Sequence, residues 1–128
     1  MARVSKKVPI EHERLKVIEG DIRDNRAVGS ATEGQDVVIS CIGIMPTRKP
    51  VSVFSEGIKN VLGAIEKNKV KLLISVTGIG AGDSRGHGGF FYDKVFQPLL
   101  LKAIYEDKDR EEALIKDSKV NWIIVRPG

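Results

Sequence analysis

Three near-continuous runs of aliphatic, largely β-branched residues constrain this chain more than any other feature: Val37-Val38-Ile39-Ser40-Cys41-Ile42-Gly43, Leu72-Leu73-Ile74-Ser75-Val76-Thr77-Gly78 and Trp122-Ile123-Ile124-Val125-Arg126-Pro127-Gly128. A run with so little polar alternation is the pattern of a strand buried on both faces of a parallel sheet. In such sheets ligands bind beyond the carboxyl ends of the strands, so the residues that close each run are the first candidates for a site.

Between these runs the pattern turns helical. Leu15-Lys16-Val17-Ile18-Glu19 reads as a short strand closed by Gly20-Asp21, after which Asp24 is placed to cap a helix reaching about Thr32, with Gly34 as its stop. Phe54, Ile58, Val61, Leu62 and Ile65 recur at helical spacing and predict an amphipathic helix over about 52–67. Residues 78–89 turn to glycine, with Asp83, Ser84, Arg85 and His87 among the glycines, and read as a long loop. Residues 90–118 return to a helical pattern, with Pro98 starting or kinking one segment and residues 105–116 forming another. The order β-α-β-α-β-α-β is that of an α/β protein with an open parallel sheet and right-handed crossovers.

Composition removes several function classes. At 128 residues the chain is one domain by length, and 41% hydrophobic with 30% charged residues excludes a disordered segment. The net charge of +4 comes from 21 basic and 17 acidic residues of interspersed sign, with no basic stripe carrying aromatic residues, so nucleic acid is not an expected partner. No run of about 18 apolar residues predicts a membrane span, and the N-terminus lacks the apolar core of a signal peptide. The lone cysteine, Cys41, excludes an internal disulfide and fits a reducing compartment, which makes the cytoplasm the expected location. Inside an apolar run Cys41 reads as a small core residue; as a nucleophile it would have only His12 or His87 as an imidazole partner. Two isolated histidines and one cysteine show no metal-ligand spacing.

The glycines of Gly78-Ile79-Gly80-Ala81-Gly82 suggest a dinucleotide phosphate loop, but the third comes one residue early and no helix follows to aim its amides at a pyrophosphate. The segment also lacks the Lys-Ser/Thr ending of a P-loop. It reads as a loop over the strand ends.

Gly20-Asp21-Ile22-Arg23-Asp24, the first long run, the Ser75-Val76-Thr77-Gly78 strand end and the run from Trp122 to Gly128 together resemble the atypical short-chain dehydrogenase/reductase family. The likeness is to its NAD(P)H-binding, NmrA-like and flavin/biliverdin-reductase-like members, and it spans nearly the whole chain. It implies a partial Rossmann-like open parallel sheet with flanking helices. On this resemblance the chain begins at the end of the family's second strand and stops where the sixth meets the substrate region. The family's first strand, Gly-rich turn and following helix would precede Met1. Because that first strand lies between the second and fourth in the family, the resemblance also implies a long apolar edge on the Val37 strand. Either the Leu15 strand re-pairs with the Val37 strand, or a homo-oligomer or a complementing chain covers the edge.

The resemblance also places a site, residue by residue. Asp21 and Ile22 match the adenine contact, a carboxylate for the exocyclic amine and an apolar side chain over the ring; Asp21 is equally a turn-forming residue. Cys41, Ile42 and Gly43 match the strand end beneath the adenine ribose, although Gly43 also serves as a strand terminator. Arg3 lies near the position that meets an NADP 2′-phosphate, which puts NADP ahead of NAD. Thr77, followed by Gly78, matches the hydroxyl residue beside the nicotinamide. Tyr105 and Lys108 resemble the family's Tyr-Lys pair at a spacing of three in place of four, which keeps both on one helix face. In that role Lys108 would touch the ribose or nicotinamide and Tyr105 would donate a proton to the reduced carbonyl. Read without the family, the run from Glu106 to Glu112 is a solvated helix face.

Three functions follow as expectations. The first is an NAD(P)H-dependent reductase of a carbonyl, quinone or flavin-like small-molecule acceptor. The second is a non-catalytic NAD(P)-sensing or protein-interaction module. The third is an incomplete domain that binds weakly alone, since two or three charge-assisted hydrogen bonds from a phosphate loop are worth about 3 to 4.5 kcal/mol.

Overall fold

The computed structural model describes residues 1–4, 8–47, 49–78 and 101–127. Along the chain run α1 (Asn25–Thr32), β1 (Val37–Ser40), α2 (Val53–Asn68), β2 (Leu72–Val76), α3 (Lys102–Asp117) and β3 (Trp122–Val125). The strands form a parallel sheet in the order β1-β2-β3, with Val38 opposite Leu73 and Ser75 opposite Ile124. This is the expected α/β open sheet. Of residues 78–100, only Gly78 lies among the described ones, so the predicted loop and the Pro98 segment fall outside them.

Local chemistry sets the helix ends. Asp24 caps α1 by accepting from the amides of Arg26 at 2.9 Å and Ala27 at 3.3 Å, and Gly34 takes the left-handed φ of 71° after its last turn. Ser52 makes no side-chain cap for α2. That task falls to Asp107 of α3, whose carboxylate accepts from the amides of Phe54 at 2.9 Å and Ser55 at 3.3 Å.

One core joins the elements. Val28 of α1, Ile58, Val61, Ala64 and Ile65 of α2 and Ile115 of α3 close over Leu73, with Val38 and Ile124 packed against them. Alternate strand residues therefore point inward. Their neighbours do not find a second layer: Ile39 is 64% exposed and Ile123 48%, with Val37 and Val125 exposed beside them. This corrects the expectation of strands buried on both faces. Successive right-handed crossovers that step in one direction along a parallel sheet place their helices on one side. Both β1-α2-β2 and β2-α3-β3 step the same way, leaving the other face bare among the described residues.

Three further expectations are corrected. The Leu15 segment is not a strand; among the described residues its only ladder contact is a parallel bridge between Glu19 and Ala2, closed by Ala2 N–H to Ile18 O at 2.9 Å and Gly20 N–H to Ala2 O at 3.0 Å. It therefore does not re-pair with β1. Cys41 sits just past β1 and is exposed, so it is no core residue. The charge run is not a solvated face, since Asp107, Lys108, Glu111 and Glu112 are all buried. They share the inward stripe of α3 with Ile104 and Ile115 and find polar partners there.

Candidate functional site

A cavity of about 470 Å³ opens between β1 and the Met1 to Arg3 segment, with α1 and α2 contributing to its lining. Arg3, Asp21, Ile22, Cys41, Ile42 and Gly43 all line it. The structure thus brings together the residues that the resemblance assigned to the adenine half of a dinucleotide. Its size is that of a small-ligand pocket.

The Asp21-Ile22 turn is held firmly. Arg23 donates to Asp21 three times, from its backbone N–H at 2.9 Å, from Nε at 3.0 Å and from Nη2 at 2.9 Å. Those hydrogen bonds hold the Asp21 carboxyl well below the usual carboxylate range, with the nearby charge of Arg3 acting in the same direction. A carboxylate offers about four acceptor positions, so one remains for a ligand amine. Ile22 is fixed from below: Asn60 Nδ2 donates to its carbonyl at 3.0 Å, and Gly57 lets α2 approach it. A Cβ on Gly57 would sit 2.8 Å from Ile22 Cγ1, too close for any side chain without displacement. At Gly43 a Cβ would meet nothing within 4 Å. That leaves open space beside the strand end. An ionised acceptor, apolar walls and open backbone fit an adenine nucleoside.

Thr77, Gly78, Tyr105 and Lys108 do not line this cavity. The Thr77 hydroxyl donates to Glu112 Oε1 at 2.8 Å, and Lys108 Nζ donates to the Thr77 carbonyl while standing 4.6 Å from the centre of the Phe54 ring. Burial lowers the pKa of Lys108 despite the opposing charges of Glu111 and Glu112. Glu112 is gripped on its other side by Arg126, at 3.0 Å through Nε and 2.6 Å through Nη2. Burial raises the Glu112 pKa, but the bonds from Arg126 and Thr77 outweigh it and leave the carboxyl below its ordinary value. Tyr105 is half-buried on the same helix. The arrangement ties the carboxyl ends of β2 and β3 to α3.

Sequence reasoning missed Gly57, Asn60, Asp107 and Glu112. Gly57 and Asn60 carry no signal beyond a glycine and an amide inside a predicted helix. Asp107 and Glu112 did carry one: both lie on the Ile104 to Ile115 stripe, where core residues were due. Among the described residues no cluster of metal-ligating side chains occurs, and no helix is long and apolar enough to cross a membrane.

Solved structures share this fold. An anaerobillin reductase from Escherichia coli, ChuY, is 24% identical with a TM-score of 0.68, covering 88% of this chain and 50% of its own. A short-chain dehydrogenase/reductase from Veillonella parvula, solved in complex with NADP, is 21% identical with a TM-score of 0.75 over 98% of this chain and 54% of its own. The oxidoreductase ylbE from Lactococcus lactis is 22% identical with a TM-score of 0.74 over 98% and 55%. The chain spans about half the length of these neighbours. Their class is that of Rossmann-like oxidoreductases with an open parallel sheet. The family model for NAD(P)H-binding proteins matches residues 1–128, and the chain belongs to that family.

Proposed function

We propose that this chain forms the adenine-side portion of an NAD(P)H site in a reductase of a carbonyl, quinone or flavin-like acceptor. The observation that carries the reading is the convergence of Arg3, Asp21, Ile22, Cys41, Ile42 and Gly43 on one cavity. Asp21 would accept from the adenine amine, Ile22 and Ile42 would cover the ring and ribose, and Arg3 would meet a 2′-phosphate, favouring NADP. The bound cofactor would supply the hydride; the protein supplies position and electrostatics. A reducing, cytoplasmic setting accords with the lone exposed cysteine.

A second reading, a nucleotide-sensing module without turnover, is favoured by one observation. Thr77 and Lys108, two residues assigned to the nicotinamide side, spend their polar atoms on Glu112 and on the Thr77 carbonyl. Calorimetric titration with NADPH and NADH, followed by turnover with quinone and flavin acceptors, separates the readings. Binding with turnover supports the reductase and binding without it supports the sensor. No heat with either nucleotide at millimolar concentration contradicts both.

A further inference from the structure

Thr77 follows directly on β2, is buried, and has every proton and its carbonyl committed to the protein. Its N–H donates to the Val125 carbonyl at 2.9 Å, its hydroxyl donates to Glu112 Oε1 at 2.8 Å, and its carbonyl accepts from Lys108 Nζ. Lys108 and Glu112 stand one turn apart on α3, so one helix face holds the residue at two points.

A hydroxyl carries one proton and two acceptor lone pairs, and the partner it already has decides which of them it can offer a ligand. Glu112 can only accept. Arg126 donates to it through Nε at 3.0 Å and Nη2 at 2.6 Å, and Lys116 Nζ stands 3.7 Å away, so the carboxyl is held ionised. The Thr77 proton therefore lies on the Glu112 side. A neutral carbonyl does not win it back, because the bond to a carboxylate is charge-assisted and about twice as strong. Toward anything beyond the strand end Thr77 offers lone pairs alone.

The strand ends share one side of the molecule. β1 and β2 run parallel with Ser40 opposite Ser75, so Cys41 to Gly43, which line the cavity, and Thr77 leave the sheet at the same end, where open parallel sheets bind their ligands. We infer that Glu112 is a positioning residue that fixes Thr77 as a hydrogen-bond acceptor for an N–H group, the carboxamide amine of the nicotinamide, and withholds its proton from a substrate carbonyl. The inference rests on the cofactor reading and deepens it: Thr77 selects the cofactor by its amine and is not the proton donor of a reduction.

The test compares the affinity of the 128-residue chain for NADPH and for its reduced 3-acetylpyridine analogue, which keeps the carbonyl but has a methyl group in place of the amine. NADPH should bind about tenfold more tightly, the value of roughly one hydrogen bond. Thr77→Val, nearly the same shape without the oxygen, should erase that preference by weakening NADPH alone. Glu112→Leu, which removes the acceptor and frees the Thr77 proton, should erase it too, whereas Glu112→Gln, whose amide oxygen still accepts, should keep it. Should Glu112→Leu unfold, Thr77→Val carries the test, with helix content as the check on its fold. Equal affinity for the two nucleotides in the parent chain, or a preference that survives in Thr77→Val, overturns the inference and leaves the cofactor reading standing. No binding of either nucleotide at millimolar concentration overturns both.

Discussion

Glu111 of α3 keeps one oxygen on Ser75 Oγ at 2.9 Å, while the other is buried without a hydrogen-bond partner. Burial pushes this carboxyl from an ordinary 4.5 up to about 7, against the hydrogen bond from Ser75 and the charge of Lys108, with Glu112 and Asp107 adding to the rise. The folded chain therefore holds this proton where the unfolded chain has lost it. Stability falls as pH rises from about 4.5 to about 7, by an amount on the order of 3 kcal/mol. Glu111→Gln should remove that slope, leaving the variant relatively more stable at about pH 8 than at about pH 4.5 when urea midpoints are compared with the parent chain. An identical pH dependence in both would contradict the assignment. The position was legible as a core site by its spacing. Its chemistry was not, because a run of charged residues is ordinarily solvated and only the facing Ser75 shows why this one is not.

At the scale of elements, α3 works as a clamp. Asp107 caps α2 and pairs with Arg110, which also donates to the Val51 carbonyl at 2.9 Å, while Glu112 joins Thr77 to Arg126. Asp107→Ala leaves the amides of Phe54 and Ser55 without their side-chain acceptor and the Ser55 hydroxyl with the Ser52 carbonyl alone, and should cost about 3 kcal/mol in chemical denaturation. A loss below about 1 kcal/mol would mean that Ser52 can take over the cap. Glu112→Ala should be more damaging than Glu112→Gln, since the amide retains an acceptor for Thr77 while the alanine removes every acceptor that buried Glu112 offers to Thr77 and to the half-buried Arg126 guanidinium. Equal losses would show that Arg126 alone carries the effect. Most element boundaries were readable from periodicity: the helix expected over about 52–67 runs Val53–Asn68. The Leu15 segment was not, because a five-residue apolar stretch becomes a strand only when a neighbour supplies a full ladder, and Ala2 supplies a single bridge.

For the whole molecule, sheet and cavity pull in different directions. The aliphatic runs announced a parallel sheet but not that its helices would share one side, since covering the second face depends on crossover direction and not on the strands themselves. Ile123→Lys and Val125→Lys on the bare face should change stability by less than about 0.5 kcal/mol while raising the concentration at which the chain aggregates. A large destabilisation by either would mean that the face is packed in solution. The cofactor half of the site was legible only through resemblance. Its residues come from three separate stretches of chain, and nothing in their spacing says that they meet. Arg3→Ala should weaken NADPH by about tenfold and leave NADH nearly unchanged, the value of roughly one charge-assisted hydrogen bond. The most direct test of the account is the map of amide shifts on titrating the labelled chain with NADPH. Shifts should concentrate at Asp21, Ile22, Cys41, Ile42 and Gly43, around the cavity mouth. Shifts confined to the bare face of Ile123 and Val125, or none at millimolar nucleotide, would contradict it.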